Sequence, residues 1–233
     1  MAATRRNQEI GTLAVDEEGS IASLQDIYWH LDHLGTIRSN QVAAAIDMIA
    51  PAPGTMVYMM ARRLADPHGD LQPVVFSALD VNTHLQVAQL YLTMTFASAV
   101  DFLEFTREKY PFPIAHVRTP AEEPFFNYRS NGRTLEFGRI AEELGIRHTA
   151  IKDPSQEQLF TLLSRLTFGG LLAGTVNFVS ERALVRDLMN FLFFHNNHRS
   201  IPSLAGKTPL QKLKTNTKCR YLHAFDPFAS LAR

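Results

Sequence analysis

Apolar residues recur at helical spacing near the start of the chain, in two short stretches separated by Gly35. The first covers residues 21–34, and the second covers residues 39–49 and ends before Pro51 and Pro53. Because proline cannot continue a helix, the pattern predicts two short helices that stop here. We interpret the polar residues 1–20 as a flexible lead-in and residues 21–53 as an N-terminal helical segment. Such a helix pair is more often packing or dimerisation material than a DNA reader, since no basic cluster marks its second helix.

The pattern changes to that of β-strands after Gly54. Residues 56–60, 72–79 and 86–93 are short apolar or alternating runs bounded by turn residues, which predicts three consecutive antiparallel strands. The runs that follow predict helix 96–110, strand 114–117, helix 134–144, strand 146–151 and helices 155–168 and 180–194. This order is typical of an RNase H-like fold. The sequence therefore predicts an α/β protein with an RNase H-like mixed five-stranded sheet flanked by helices, and with an N-terminal helical extension.

Composition narrows the functional classes. The chain has 233 residues, of which 45% are hydrophobic, and its 23 basic and 23 acidic side chains cancel. The missing basic excess argues against tight non-specific DNA binding, which needs cations to neutralise phosphates. The single Cys219 cannot form an intramolecular disulfide and fits a reducing compartment. No apolar run suggests a signal peptide or a membrane span, so we expect a cytoplasmic protein with no membrane partner.

The segment His195–Pro209, with the sequence HNNHRSIPSLAGKTP, carries the most specific motif. It resembles the Tyr-Asn-x-x-Arg-Pro-His-x-x-Leu-Gly-x-x-Thr-Pro signature that follows the catalytic core of bacterial insertion-sequence transposases. Ser200 and Ile201 stand where that family has Pro and His. The resemblance implies an integrase catalytic core, as in retroviral integrases and related transposases, over residues 54–195, with a C-terminal signature segment and tail over residues 196–233. The residues in register are Asn196, Arg199, Leu204, Gly206, Thr208 and Pro209.

The resemblance also implies three carboxylates that hold two divalent metal ions for phosphoryl transfer. At the matching positions this chain has Met60, Pro120 and Thr161. A thioether is a poor ligand for Mg²⁺, and a prolyl side chain is no ligand at all. We therefore predict a catalytically inactive protein that needs no cofactor and has no metal site.

A displaced acid cluster is the alternative. Asp80, either Glu122 or Glu123, and either Asp153 or Glu157 would then hold Mg²⁺ and support an active recombination enzyme. Asp80 matches a family position whose acid does no metal work, and the glutamates are flanked by prolines beyond the end of a predicted strand. Their simpler interpretation is a solvated loop and the start of a helix, where carboxylates are favourable.

Binding is the function that remains, and the sequence leaves its target open. The resemblance implies contact with DNA, which we expect to be weak and non-specific because phosphate contacts carry no sequence information. The alternatives are a homodimer or another protein partner, in a regulatory module without DNA binding. His195 and His198 lie within the signature and are expected to contribute hydrogen bonds or phosphate contacts. The cations that we predict to contact DNA lie in the C-terminal segment and are Arg199, Lys207, Lys212, Lys214 and Lys218.

Overall fold

The computed structural model describes residues 50–64, 73–126, 136–152 and 180–216. The predictions for the lead-in and the N-terminal helices, for helix 155–168 and for four site candidates lie outside these residues. The four candidates are Asp153, Glu157, Thr161 and Lys218.

The described elements alternate as the sequence predicted. Three strands come first, β1 (Val57–Arg63), β2 (Val74–Asp80) and β3 (Gln86–Tyr91). Helix α1 (Phe96–Lys109), strand β4 (His116–Pro120), helix α2 (Glu136–Glu143) and strand β5 (Arg147–Ile151) follow. The C-terminal part contains α3 (Glu181–Asn197), a short 3₁₀ turn (Pro202–Leu204) and α4 (Pro209–Thr215). None of the described helices is long and apolar enough to cross a membrane.

The strands form one five-stranded sheet in the order β3-β2-β1-β4-β5. The first three strands pair antiparallel, whereas β4 runs parallel to both β1 and β5. This is the mixed sheet flanked by helices that the sequence predicted, and it confirms the RNase H-like fold class.

One face of the sheet packs against α1 and α2. Met59 and Phe76 project from β1 and β2 to this face and share a core with Phe102 of α1 and Phe137 of α2, all of them buried. Thr95 caps α1, since its side chain accepts a hydrogen bond from the backbone N–H of Ser98 at 3.2 Å. All residues of β2 are buried, so the strand shows no alternation of polar and apolar residues.

Strand β4 lies later in the chain than the predicted run of residues 114–117, because it begins at His116 and continues through Pro120. Pro111 and Pro113 precede it. Its bounding hydrogen bonds to β5 run from Arg147 N to Ala115 O (3.0 Å) and from Ala121 N to Ile151 O (2.7 Å). A partner strand on each side, rather than local composition, therefore fixes where this strand starts and stops.

Candidate functional site

The candidate site lies where β1 and β4 run side by side in the middle of the sheet. Their parallel register pairs Val57 with Val117 and Tyr58 with Arg118. Carried two residues further, it brings Met60 level with Pro120 on the face opposite α1 and α2. Both side chains are buried, and Met60 is only 3% exposed. The two described positions at which the resemblance implies metal-binding acids thus lie at the same level of neighbouring strands, and they are apolar.

Pro120 also changes the backbone at this point. In β4 the odd-numbered residues exchange hydrogen bonds with β5, so the nitrogen of Pro120 faces β1. A prolyl nitrogen has no hydrogen to donate. The β1–β4 register accordingly consists of two residue pairs, whereas that of β4 with β5 has five. One backbone donor towards β1 is therefore absent at the level of Met60.

The neighbours of Met60 and Pro120 on this face are neutral or basic. Ser77 lies opposite Met60 in β2, and its hydroxyl accepts a hydrogen bond from Gln86 Nε2 at 3.0 Å. Arg118 donates to the buried hydroxyl of Tyr58 at 2.5 Å, and its guanidinium lies 5.2 Å from the centre of the tyrosine ring. Sequence reasoning did not identify this Arg–Tyr pair, because nothing in either strand alone indicates that they are adjacent.

Asp80 lies at the other end of β1, opposite Val57. Its fully buried carboxylate accepts hydrogen bonds from Gly54 N (2.8 Å), Thr83 N (2.8 Å) and Thr83 Oγ1 (2.6 Å). Burial raises the pKa of Asp80 to about 6, although these hydrogen bonds lower it. Three residues of strand, or about 10 Å, separate its level from that of Met60. Asp80 thus ties the β2–β3 turn to the residues before β1.

Glu122 and Glu123, the other described acids of the alternative cluster, do not join Asp80. Glu122 and Glu123 are exposed and follow the end of β4, at the opposite end of the sheet from Asp80. The backbone carbonyl of Glu122 accepts hydrogen bonds from the N–H groups of Phe125 and Phe126, which closes a turn. Within the described part of the chain, no group of three His, Cys, Asp or Glu side chains is arranged to hold a metal ion.

His195 and Asn196, at the start of the C-terminal signature, are buried and hydrogen-bonded to backbone groups at and before β3. The side-chain amide of Asn196 accepts from Gln86 N at 2.9 Å and donates to Gln86 O at 2.8 Å. It therefore occupies the edge of β3 as a neighbouring strand would. His195 lies beside it, with Nε2 3.0 Å from the carbonyl oxygen of His84. Since a carbonyl only accepts, Nε2 carries the proton. The predicted hydrogen bond of His195 is thus present, and its target is backbone.

His84 is the buried partner of this contact. It has a left-handed backbone (φ 57°) in the β2–β3 turn and is fully buried. Among the described residues, neither of its ring nitrogens has a hydrogen-bond partner. Burial, together with the nearby His195 and Lys212, lowers the pKa of His84 to about 3. Burial also lowers the pKa of His195 to about 4. Both imidazoles are therefore neutral near neutral pH.

The rest of the signature forms a turn and a helix start. Gly206 has a left-handed backbone (φ 78°), and its carbonyl accepts from the hydroxyl of Ser200 at 2.6 Å. Thr208 and Gln211 form a reciprocal capping box at the start of α4, with Pro209 as the first helical residue. The motif therefore has a structural explanation in this chain.

Four of the cations predicted to contact DNA lie in or beside the signature, in residues 195–216, which we call the C-terminal module. Lys207 is exposed, whereas Arg199, Lys212 and Lys214 are partly buried.

An apolar surface lies on α3, where Met189, Phe193 and Phe194 are 37%, 44% and 56% exposed. Sequence reasoning missed this surface, since an aromatic helix pattern does not reveal which face is left uncovered.

The strand order, the mixed pairing and the flanking helices define the integrase catalytic core form of the RNase H-like fold. Solved structures with this fold include the catalytic core domain of BIV integrase, which is 17% identical with a TM-score of 0.52. The alignment covers 72% of this chain and 99% of that one. The magnesium-bound dimeric form of the HTLV-2 integrase core is 12% identical with a TM-score of 0.50, over 71% of this chain and 98% of that one.

A chain of the simian T-cell lymphotropic virus intasome, solved in complex with the PP2A regulatory subunit B56 gamma, is also similar. It is 16% identical with a TM-score of 0.54, and the alignment covers 74% of this chain. This chain spans only 58% of the length of that larger one. At these identities the likeness establishes the fold alone. The sequence matches no known family profile and no curated protein.

Proposed function

We propose that this protein derives from an insertion-sequence transposase or integrase, has lost metal-dependent strand transfer, and acts by binding. The proposal rests on Met60 and Pro120, which are both buried and which the β1–β4 register, carried two residues further, places at the same level where the resemblance implies carboxylates. Mg²⁺ requires hard oxygen ligands in near-octahedral geometry, and neither side chain offers one.

Local charge supports the same conclusion. Arg118 precedes Pro120 by two residues on the same face of β4, which is about 7 Å along the strand. A guanidinium at this distance repels a divalent cation in a partly buried setting. The chemistry of the replacement residues and the sign of the nearby charge therefore both disfavour a two-metal site.

The test is an assay of DNA nicking and strand transfer on supercoiled plasmid, with Mg²⁺ and with Mn²⁺. We expect no metal-dependent product from the purified protein. Glu122→Gln is the decisive variant for the displaced-acid alternative, because Glu122 is exposed and its loss leaves the core intact. Metal-dependent cleavage that disappears in Glu122→Gln would show an active enzyme and refute the proposal.

DNA is the first binding target that we propose. The module that carries the signature bears Arg199, Lys207, Lys212 and Lys214, all at least partly accessible. The chain has no net charge. Because binding through phosphates alone scales with the number of cations that contact them, we expect it to be weak, non-specific and steeply dependent on salt.

Self-association is the second candidate, and the apolar surface of α3 favours it. Three large apolar side chains are exposed on one helix, and contiguous exposed apolar area is typical of protein interfaces. One similar structure is described as a dimeric form of an integrase core. Sedimentation of the wild type and of Phe194→Glu tests this, with Arg182→Glu on the same helix as the control. A wild type that remains monomeric at high concentration would remove this candidate.

A further inference from the structure

A polar cluster on β4 and β5 has no role in the function proposed above. It lies on the same sheet face as Met60 and Pro120, where the register pairs His116 with Arg147 and Arg118 with Thr149. His116 is 8% exposed, whereas Arg147 and Thr149 are exposed at the outer strand of the sheet. A buried imidazole thus lies beneath two accessible polar side chains.

The hydrogen bonds fix the direction of each donor. Arg147 Nη2 lies 3.5 Å from His116 Nδ1, and His116 Nε2 lies 2.9 Å from Thr149 Oγ1. A guanidinium can only donate, so Nδ1 accepts. In a neutral imidazole Nε2 then carries the proton and donates to the threonine oxygen. The hydroxyl hydrogen of the exposed Thr149 can therefore donate to an acceptor other than His116.

The charge around His116 is positive, which also favours a ligand that accepts hydrogen bonds. Among the described residues, the groups that act electrostatically on His116 are Arg147, Arg118 and His148, and none of them is an acid. Burial, with the nearby Arg147 and Arg118, lowers the pKa of His116 to about 4, which keeps it neutral as the hydrogen bonds require. The accessible side of the cluster therefore presents N–H and O–H donors and positive charge.

A surface of this kind is complementary to a ligand that only accepts hydrogen bonds and is negatively charged. We propose that Arg147 and Thr149, supported by His116 and Arg118, bind a phosphate group, and that it is a backbone phosphate of DNA. Phosphate oxygens are strong acceptors, and guanidinium–phosphate hydrogen bonds are among the strongest in proteins. The assignment to DNA rests on the proposed DNA-binding function, whereas the phosphate site itself does not.

Two measurements test separately whether the site binds phosphate and whether that phosphate belongs to DNA. The first is a titration with inorganic phosphate at constant ionic strength, followed by NMR of the Thr149 amide and the His116 ring. We expect saturable shifts, retained in Thr149→Ser and weakened about tenfold or more in Arg147→Gln and Thr149→Val. Arg107→Gln is the matched control, because it removes an equally exposed arginine from α1 on the other side of the sheet.

The second measurement is fluorescence anisotropy with a short random duplex over a range of salt concentrations. Arg147→Gln should flatten the slope of log affinity against log salt by about one unit, and Arg107→Gln should leave it unchanged. Inorganic phosphate could bind while Arg147→Gln leaves the salt dependence of duplex affinity unchanged. That result would overturn the assignment to DNA and leave a small phosphate compound as the ligand. The absence of phosphate-dependent shifts in the wild type would overturn the site itself, whatever the lysines of the C-terminal module contribute to DNA binding.

Discussion

Met60→Asp places a carboxylate where the resemblance implies the first metal-binding acid, and it tests whether this position suits one. Met60 is buried, with Ser77 opposite it and Pro120 at the same level. Pro120 has no N–H to donate, and the hydroxyl of Ser77 already accepts from Gln86. The new carboxylate would thus lose water and gain few donors.

Asp80 provides an internal reference for the magnitude. It is equally buried and accepts hydrogen bonds from three donors, yet its pKa is raised from 3.8 to about 6. A shift of this size corresponds to about 3 kcal/mol against the ionised form. Loss of the buried methionine costs about 1.5–3 kcal/mol more. We therefore expect Met60→Asp to lower the free energy of unfolding by about 4 kcal/mol or more near pH 8.

The pH dependence of the unfolding free energy distinguishes the cost of burying a charge from the cost of the lost packing. A carboxyl whose pKa is raised in the folded state costs little below its unfolded pKa of about 3.9, and the cost grows as the pH rises towards the folded pKa. Met60→Asn has nearly the same shape and does not titrate. We expect the difference in stability between the two variants to widen by about 1.4 kcal/mol or more from pH 5 to pH 8.

Urea denaturation in metal-free buffer, with and without added Mg²⁺, measures this difference. Met60→Leu controls for apolar substitution and should cost less than about 1.5 kcal/mol. If Met60→Asp and Met60→Asn were equally stable at both pH values, the position would be open to water and the reasoning wrong. Stabilisation of Met60→Asp by Mg²⁺ would show instead that a metal site survives here.

Three further predictions concern the C-terminal module. Asn196→Ala should lower the free energy of unfolding by about 2–3 kcal/mol in urea, because it leaves both buried backbone groups at the edge of β3 unpaired, whereas Asn197→Ala should cost less than about 1 kcal/mol. Stability should fall as the pH drops from about 6.5 to about 4, since the unfolded state takes up protons that His84, His195 and His116 do not bind in the folded state. The raised pKa of Asp80 partly offsets this loss. His84→Asn should reduce the slope of the unfolding free energy by up to about 1.4 kcal/mol per pH unit. Lys207→Gln and Lys214→Gln should each flatten the salt dependence of DNA affinity by about one unit if they contact phosphates, and no binding at low salt would leave self-association as the leading function.

The sequence by itself determined the order of the described elements and the residue types at the positions where the resemblance implies acids. Local periodicity and turn residues identified all five strands. The limits of β1 and β4 were wrong by up to three residues, because strand limits depend on hydrogen bonds to partner strands. The identities of Met60 and Pro120 excluded Mg²⁺ ligands without any coordinates. These properties are local, so a linear sequence contains them.

The tertiary structure alone decided which residues meet. Asn196 and Gln86 are 110 residues apart, and Arg118 and Tyr58 are 60 apart, so nothing in the local pattern could pair them. The sequence suggested phosphate contacts or hydrogen bonds for the signature, and the fold directs His195 and Asn196 to backbone groups around β3. Hydrogen bonds depend on distances of a few tenths of an ångström, and such distances are fixed only when strands and helices pack.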